Sequence, residues 1–395
     1  MQYCAKYPII QTSKLWKSRL LESFFCLGCC SLLCADSFGE LTMILSERMK
    51  TLKPYLPGEQ PQDRKYLKLN TNENPYPPSP RVKTSMENLD IERLRLYPDP
   101  SAIELREKIG ERYGLKKEQV FVSNGSDEAL SFCFYAFFDS LYGKLLFPEV
   151  TYSFYPVYCD YYGIEYERIP VNGELAIHVE EFVKRKGSCG VVFANPNAPT
   201  GTYLAPKQIL YLLDHYPSEK PVLVDEAYID FGGESAVPLL RDYKNLLIVR
   251  TFSKSMSLAG LRLGFVMAGK ELIDALSTVK DSFNSYPVST LTQRIGEIAL
   301  SDEPYYQSIN DKIIATRESF STDLGKLGWI VLPSKANFVF ARKEGVPGKE
   351  IYMKLKERGI LVRHFDAEKV RDYVRITIGT QEDMQRLLGQ MKSLF

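Results

Sequence analysis

The chain has 395 residues, 45% of them hydrophobic, which is enough apolar material for a large core and two domains. Its 50 basic and 49 acidic residues give a net charge of +1. This even balance, with no run of five like charges, gives no support to a nucleic-acid or membrane-surface partner. No fixed-period repeat and no low-complexity tract occurs, which argues against a solenoid or a fibrous protein.

The first 48 residues differ in composition from the rest. Five of the eight cysteines fall within the first 34 residues, in a segment rich in Leu and Phe. Three interpretations stay open: a secretion signal, a metal-binding cysteine cluster, or a translation that begins too early. We expect the third, with Met43 or Met49 as the native start, so that residues 1–48 are non-native or disordered. The three remaining cysteines are too few for a disulfide framework, which favours a reduced, cytoplasmic protein.

From residue 49 onward, apolar strand-like runs alternate with helix-length amphipathic segments. Such alternation predicts an α/β domain with a mostly parallel central sheet. Helices are expected at 126–141 and 205–216. The predicted buried strands are 120–123, 144–148, 190–194, 221–225, 245–249 and 263–268.

The pattern changes from about residue 305 and indicates a second, smaller α/β domain. Its predicted elements are a long helix at 303–327, strands at 329–333 and 337–343, a helix at 348–358, strands at 360–365 and 373–379, and a helix at 381–394. We therefore expect a large domain at 91–300 and a small C-terminal domain at 301–395. An irregular N-terminal arm, 49–90, is expected to contribute to the small domain.

Polar residues follow five of the predicted strands, at the point where each strand ends. The five sequences are SNGSDEAL, EVTYSFYP, NPNAPTG, DEAYIDF and RTFSKS. Functional groups of open α/β sheets lie just beyond the carboxyl ends of the strands. We therefore expect these five segments to form one site.

Two of the five segments contain groups that can hold a phosphate. Gly125 and Ser126 open a predicted helix, whose free N–H groups attract anions, although an ordinary helix cap has the same pattern. Ser253 and Arg262 can hold a phosphate dianion, Arg262 in a forked geometry. A glycine at 260 would allow the backbone to approach closely.

Lys254 and Asp225 suggest covalent chemistry on an aldehyde. A lysine amine can form a Schiff base. Asp225 ends an apolar strand, where a carboxylate needs a charged partner such as a protonated pyridine nitrogen, and Tyr228 could reach a phenolate oxygen of the same ring. A Ser–Lys nucleophile of the SxxK type does not fit, because Thr251 precedes Lys254 by three residues.

Two other site types are also disfavoured by the sequence. A metal-binding Asp-Glu pair lacks partners, because the three histidines of the chain are widely separated. A Walker B interpretation lacks a GxxxxGK[ST] loop. No metal is expected.

The combination resembles the fold type I pyridoxal-phosphate-dependent aminotransferases, and within them the histidinol-phosphate aminotransferases. The motifs that carry the resemblance are LNTNENPYPP (69–78), RLYPDP (95–100), NPNAPTG (195–201), DEAYIDF (225–231), TFSKSMSLAGLRLGF (251–265) and YVRITIGT (373–380). The resemblance covers about residues 50–395. It implies a large domain with a mostly parallel central sheet, a smaller α/β domain at the C-terminus, and pyridoxal 5'-phosphate as cofactor.

The resemblance also implies a role for each motif residue. Lys254 would bind the cofactor covalently and then move a proton from the substrate Cα. Asp225 would pair with the pyridine nitrogen, and Tyr228 with the ring 3′-oxygen. The other implied positions are Gly125, Ser126, Asp127, Ser253 and Arg262 around the cofactor phosphate, Tyr152 against the ring, Tyr97 at the phosphate of the neighbouring subunit of a homodimer, Arg375 at the substrate anion, and Tyr55 and Asn74 at the substrate end.

One position departs from the family pattern. Ala198 stands where an asparagine that supports the 3′-oxygen is common. Asn197 or Asn195 could take its place, with Asn197 assigned here to the cofactor site, or Tyr228 could act alone.

The implied reaction is L-histidinol phosphate with 2-oxoglutarate, giving imidazole-acetol phosphate and L-glutamate in histidine biosynthesis. The implied partners are a small-molecule amino donor, a 2-oxo acid and a second copy of the chain. Alternatives on the same fold are an L-threonine-phosphate decarboxylase and an aromatic-amino-acid aminotransferase. A cofactor-sensing regulator is disfavoured, because the segment before residue 50 is too short and too rich in Cys and Leu for a helix-turn-helix domain.

Overall fold

The computed structural model describes residues 45–395. The cysteine-rich segment, and most of the extension expected at 1–48, therefore lie outside the described residues. The contacts divide the chain into two units, 1–52 and 53–395. The described part of the first unit contains one short helix, Glu47–Thr51.

The described residues form short strands and longer helices in alternation. The strands are β1 Leu67–Lys68, β2 Val120–Ser123, β3 Lys144–Pro148, β4 Tyr166–Ile169, β5 Ser188–Ala194, β6 Val222–Asp225, β7 Leu246–Thr251, β8 Gly264–Ala268, β9 Trp329–Val331, β10 Phe338–Lys343, β11 Ile360–Leu361, β12 Arg363–His364 and β13 Val374–Thr377. The α-helices are α1 Glu47–Thr51, α2 Pro80–Glu87, α3 Ile103–Tyr113, α4 Gly125–Phe137, α5 Tyr155–Tyr162, α6 Val179–Val183, α7 Pro206–His215, α8 Lys270–Phe283, α9 Thr290–Leu300, α10 Glu303–Lys326, α11 Gly348–Glu357 and α12 Gln381–Leu394.

Seven strands form the central sheet, in the order β2-β8-β7-β6-β5-β3-β4. The pairs from β7 to β4 are parallel, and β8 runs antiparallel to both of its neighbours. Strands β5, β6 and β7 are buried along their whole length, as expected for parallel strands covered by helices on both faces. The predicted α/β class with a mostly parallel sheet is confirmed.

A second, antiparallel sheet has the order β12-β13-β10-β9. The segment predicted as one strand, 360–365, is divided into β11 and β12. Strand β11 pairs in parallel with β1, where Leu67 lies opposite Ile360. The expected arm, 49–90, thus supplies a strand to the C-terminal part of the chain. Residues 53–395 form one compact unit, and the boundaries predicted at 90 and 300 stay predictions.

Local sequence explains where the helices begin and which face they bury. Helix α7 begins at Pro206, whose missing N–H costs nothing in the first turn, and it buries Ile209 and Leu212 on one face. Helix α12 begins after Thr380, whose hydroxyl accepts a hydrogen bond from the Asp383 N–H at 3.2 Å. Within residues 45–395, no helix has the length and apolar character needed to cross a membrane.

The start of β8 packs directly against the start of α4. A methyl group built on Gly264 would lie 2.4 Å from the Ser126 nitrogen and 2.5 Å from the Gly125 carbonyl carbon. A methyl group on Gly260 would have nothing within 4 Å. The close packing at Gly264 brings the first turn of α4 against the central sheet, while the approach of the Gly260 backbone to a phosphate stays a prediction.

The Gly264→Ala substitution is expected to lower the free energy of unfolding by about 2 kcal/mol or more, because neither backbone can move away from the added methyl. The matched control is Gly260→Ala, which is expected to change stability by less than about 1 kcal/mol. Urea denaturation of the two variants measures the difference. Equal stabilities would contradict the packing described for β8 and α4.

Candidate active site

A cavity of about 460 Å³ opens where the parallel strands β5, β6 and β7 end. Ten of the fourteen residues predicted for the site line this cavity: Tyr55, Ser126, Asp127, Tyr152, Asp225, Tyr228, Ser253, Lys254, Arg262 and Arg375. Most of them follow a strand directly, which places their side chains at one edge of the sheet. The structure therefore gathers residues that lie up to 320 positions apart in the sequence.

Arg262 is the centre of an anion-binding group. Its guanidinium donates to the Asp127 carboxylate at 3.1 Å and to the Ser253 hydroxyl at 3.5 Å. Arg262 adopts a left-handed conformation with φ of 54°, at the turn that leads into β8. This turn returns the side chain toward the start of α4, where free N–H groups also favour an anion.

Gly125 does not line the cavity but makes room for Arg262. It has φ of +81°, a conformation that favours glycine. A methyl group at this position would lie 2.6 Å from an Arg262 guanidinium nitrogen. A side chain at residue 125 would therefore displace the Arg262 guanidinium from its present position against the first α4 turn.

Lys254 presents a primary amine to the cavity. Its side chain is half-buried, and its Nζ donates to the Thr71 carbonyl at 3.3 Å. The Nζ lies 5.6 Å from the centre of the Tyr228 ring. Asn74 donates from its amide to the Lys254 carbonyl at 3.1 Å, and so it supports the lysine backbone instead of lining the cavity.

Asp225 is a buried carboxylate without a cationic side-chain partner among residues 45–395. It is 5% exposed, and it accepts from the Ala227 N–H at 3.1 Å and the Tyr155 hydroxyl at 3.4 Å. Burial, with a smaller contribution from the negative charge of Asp127, raises the pKa of Asp225 to about 7. A cation brought into the cavity would stabilise the charged form.

The two loops that carry Asp225 and Lys254 are joined by a buried ion cluster. Arg250, 4% exposed, lies 3.5 Å from the Glu226 carboxylate and pairs with Asp230. The Ser255 hydroxyl donates to Asp230 at 2.5 Å. Because Glu226 follows Asp225 and Ser255 follows Lys254, this cluster fixes the two loops relative to each other.

Arg375 is a half-buried guanidinium with spare hydrogen-bonding capacity. It donates to the Asn70 carbonyl at 3.0 Å, and its Nε has no hydrogen-bond partner among the described residues. Burial lowers its pKa, which reflects the cost of a desolvated charge. A partly buried, incompletely bonded cation of this kind suits an anionic ligand.

Arg363 lines the same cavity and was not predicted. It lies directly opposite Arg375 in the antiparallel pair of β12 and β13. Its guanidinium donates to the carbonyls of Leu56 and Pro57 at 2.9 and 3.1 Å. The cavity thus contains two neighbouring guanidinium groups on paired strands.

Asn72 is a second residue that sequence reasoning missed. It lines the cavity, and its amide donates to the Tyr228 hydroxyl at 2.9 Å. The only sequence signal for it is the asparagine-rich segment 70–74, from which Asn74 was chosen instead. Asn74 lies two residues on and faces the lysine backbone.

The structure does not bring Asn197 to the cavity. Its amide oxygen accepts from the Thr151 hydroxyl at 2.8 Å, and its amide nitrogen donates to the Val150 carbonyl at 2.8 Å. Asn195 is likewise engaged, with the backbone of Leu204. Both asparagines hold the loop after β5 in shape, while Ala198 lines the cavity.

Tyr97 lies away from this cavity. It is 81% exposed and stacks on Tyr286 with ring centres 4.6 Å apart. It lines a second cavity, of about 730 Å³, on the surface formed by residues 81–104 and 290–298. Within one chain, Tyr97 therefore does not contribute to the site around Lys254.

The residues present fit pyridoxal phosphate. Lys254 can bind its aldehyde, and Asp225 can pair with its ring nitrogen. Arg262, Ser253 and the start of α4 can hold its phosphate. The uncompensated burial of Asp225 is the sharpest of these matches, because a buried carboxylate needs a cation. Among residues 45–395, no group of three or more His, Cys, Asp or Glu side chains is arranged to hold a metal ion.

Comparison with known proteins agrees with this geometry. The family model for aminotransferase class I and II matches residues 64–391. A histidinol-phosphate aminotransferase of Syntrophus aciditrophicus is 59% identical over 354 residues, which cover 89% of this chain and 98% of the relative. A histidinol-phosphate aminotransferase of Chromohalobacter salexigens is 49% identical over 349 residues, which cover 88% of this chain and 98% of the relative.

A solved structure shows the same fold. The histidinol-phosphate aminotransferase of Sinorhizobium meliloti, crystallised with pyridoxal-5'-phosphate, superposes with a TM-score of 0.79 at 20% identity, over 89% of this chain and 98% of its own. The chain therefore belongs to the histidinol-phosphate aminotransferases, a family of the pyridoxal-phosphate-dependent class I and II aminotransferases, as its motifs predicted.

Proposed function

We propose that the chain transfers the amino group of L-histidinol phosphate to 2-oxoglutarate, with pyridoxal 5'-phosphate as cofactor. The products are imidazole-acetol phosphate and L-glutamate, in a step of histidine biosynthesis. The observation that carries the proposal is one cavity that contains a lysine amine, a buried carboxylate without a cation, and two guanidinium groups on paired strands. The identity of 59% to a histidinol-phosphate aminotransferase supports the same reaction.

When bound, pyridoxal phosphate supplies an electron-withdrawing ring that acidifies the Cα–H of an attached amine. Asp225 holds the proton on the ring nitrogen and so maintains that withdrawal. Arg262, Ser253 and the start of α4 hold the phosphate. These non-covalent contacts retain the cofactor at the stage when the Lys254 amine is free.

Lys254 has two tasks. Its amine would hold the cofactor between turnovers, and once displaced by substrate it would serve as the base that takes the proton from the substrate Cα and as the acid that returns it. The Arg250 cluster keeps the lysine loop and the Asp225 loop in one arrangement during both tasks. The fixed loops let the amine swing while the carboxylate stays in place.

Arg375 and Arg363 bind the anionic part of the substrates. A phosphate dianion is matched by two guanidinium groups, and a carboxylate by one. The pair can therefore accept histidinol phosphate in one half of the reaction and glutamate or 2-oxoglutarate in the other. This arrangement favours a phosphate-bearing amine over an aromatic amino acid, and it leaves an L-threonine-phosphate decarboxylase as the alternative to test.

We also propose a homodimer with shared sites, acting in the cytoplasm. The segment around Tyr97 exposes several large apolar side chains, namely Ile91, Leu94, Leu96 and Tyr97. A second copy of the chain that covers this segment would bring the Tyr97 hydroxyl to the partner's phosphate-binding group. The three cysteines of the main body, Cys133, Cys159 and Cys189, are buried and unpaired, which suits a reducing compartment.

The substrate assignment is tested with purified protein, 2-oxoglutarate and four amines: histidinol phosphate, phenylalanine, tyrosine and threonine phosphate. We expect histidinol phosphate to give the highest kcat/KM. In the Arg363→Met variant, kcat/KM for histidinol phosphate is expected to fall by about 10- to 100-fold, because the substitution removes a charge-assisted hydrogen bond to a dianion. The fall in kcat/KM for glutamate is expected to be smaller.

Arg358→Met, at an exposed position on the same part of the chain, is the matched control and should retain wild-type rates. Release of carbon dioxide from threonine phosphate, or a faster reaction with phenylalanine, would contradict the assignment.

The Lys254→Ala variant is expected to form no keto product. Borohydride reduction followed by intact-protein mass measurement should show the cofactor covalently attached to the wild type and absent from the variant, because Lys254 is the lysine that lines the cavity among residues 45–395. The exposed Lys349→Ala variant should behave as the wild type. Near-normal turnover by Lys254→Ala would contradict the proposed role.

The shared site is tested by mixing Tyr97→Ala and Lys254→Ala subunits. Each variant alone should be impaired, but a mixed dimer contains one site with both native residues. Random mixing should restore about a quarter of wild-type activity, since half of the dimers are mixed and each has one complete site. Activity no higher than the mean of the two separate variants would argue against a shared site.

A further inference from the structure

We infer that Asn72 is a positioning residue that directs the Tyr228 hydroxyl proton into the cavity, and that it takes over the task of the amide missing at Ala198. The inference rests on the proposed function, because it concerns how Tyr228 meets the cofactor. It begins with the hydrogen-bonding capacity of a phenol, which can donate one hydrogen and accept at its oxygen.

The Tyr228 hydroxyl accepts from the Asn72 amide at 2.9 Å and has no acceptor for its own hydrogen among the described residues. With the oxygen occupied by Asn72, the hydrogen points elsewhere. Tyr228 packs on Ala198, Ala336 and Phe338, which offer no polar side-chain atom. The open direction for the hydrogen is the cavity that Tyr228 lines.

The orientation of the Asn72 amide is set by Thr377. The Thr377 hydroxyl accepts from the Asn72 backbone N–H at 3.0 Å and donates to the Asn72 amide oxygen at 3.1 Å. Since the amide oxygen is paired with Thr377, the NH₂ group faces Tyr228. The Asn337 amide donates to the Asn72 carbonyl at 3.0 Å and closes the network.

The backbone of Asn72 is itself held in an uncommon conformation. Asn72 is 1% exposed and has φ of 57°, in the left-handed region that asparagine tolerates better than most residues. Three contacts to the backbone and side chain keep it there. Because its amide oxygen is bound by Thr377, the buried Asn72 side chain donates from its amide nitrogen to the Tyr228 hydroxyl in one fixed orientation.

Asn72 is also the amide available for this task. Asn195 and Asn197 both use their amides to hold the loop after β5, and Ala198 has no amide. A hydrogen bond received by a phenol strengthens the one that it donates. Asn72 can therefore support the ring hydroxyl of pyridoxal phosphate through Tyr228, without touching it.

The ring hydroxyl of the cofactor is adjacent to its aldehyde carbon, so its charge acts on a proton held at the Lys254 nitrogen. A weaker hydrogen bond from Tyr228 leaves more negative charge on that oxygen, and the nitrogen keeps its proton to higher pH. The titratable groups around Lys254 and Tyr228 are Asp225, Glu73, Arg375 and Tyr155, and the same cavity is lined by Asp127, Tyr152, Arg262 and Arg363. A substitution at Asn72 leaves all of these groups in place.

The test follows the visible absorption of the cofactor-loaded protein as a function of pH. Asn72→Gly keeps the positive φ and the backbone contacts and removes the amide. The midpoint of the titration is expected to rise by roughly half a pH unit or more. Asn72→Asp keeps the size, the φ preference and the contact with Thr377, but offers Tyr228 an acceptor and a negative charge, so its midpoint should rise further.

A purely structural role predicts that Asn72→Gly lowers thermal stability and leaves the midpoint unchanged, whereas the charge of Asn72→Asp raises the midpoint under either role, so the Asn72→Gly variant decides between them. The Tyr228→Phe background supplies the second comparison. There, Asn72→Gly should shift the midpoint no further, because the phenol through which it acts is gone.

An unchanged midpoint in Asn72→Gly, or the same shift with and without the Tyr228 hydroxyl, overturns the inference alone. A wild-type protein without the visible absorption overturns the proposed function together with the inference. Retained thermal stability of Asn72→Gly combined with the shifted midpoint supports the inference.

Discussion

Three carboxylates lie within six residues at the end of β6 and on the loop that follows it, and among residues 45–395 only two of them have a cationic partner. Arg250 pairs with Glu226 and Asp230, and the hydroxyls of Ser235 and Ser255 add one hydrogen bond to each. Asp225 receives only a backbone N–H and a long contact from Tyr155. A buried carboxylate without a charged partner lowers the free energy of unfolding by several kcal/mol unless a bound cation pairs with it.

That unpaired charge organises the site, because the rest of the cavity supplies what a phosphorylated pyridine aldehyde needs. The strand register places Asp225 beside Val249 at adjacent strand ends, and Lys254 follows five residues later on the neighbouring loop. The Arg250 cluster then prevents the two loops from separating. The parallel pairing of β6 with β7, together with the buried Arg250, therefore sets the spacing between the Asp225 carboxylate and the Lys254 amine.

Sequence patterns identified Asp225 and Lys254 because each lies at, or within a few residues of, the end of an apolar strand that the sequence predicts. Long apolar runs marked β3 and β6, whereas β4 was missed because its sequence, YERI, is only partly buried. The contacts that were missed are long-range. Asn72 and Tyr228 are 156 positions apart, and Arg363 reaches the cavity only through the pairing of β12 with β13. Nor can a sequence show that the Asn197 amide turns away from the cavity.

The missing amide at Ala198 has a consequence for how the two halves of the site are connected. An asparagine on the loop after β5 would belong to the central sheet. Asn72 is instead fixed by Thr377, which lies on β13 two residues from Arg375 and thus on the same face of that strand. The strand that carries Arg375, proposed here to bind the substrate anion, therefore also carries the threonine that orients the Asn72 amide toward Tyr228. Under that proposal, substrate binding and the support of the cofactor hydroxyl would act through the same strand of the small sheet.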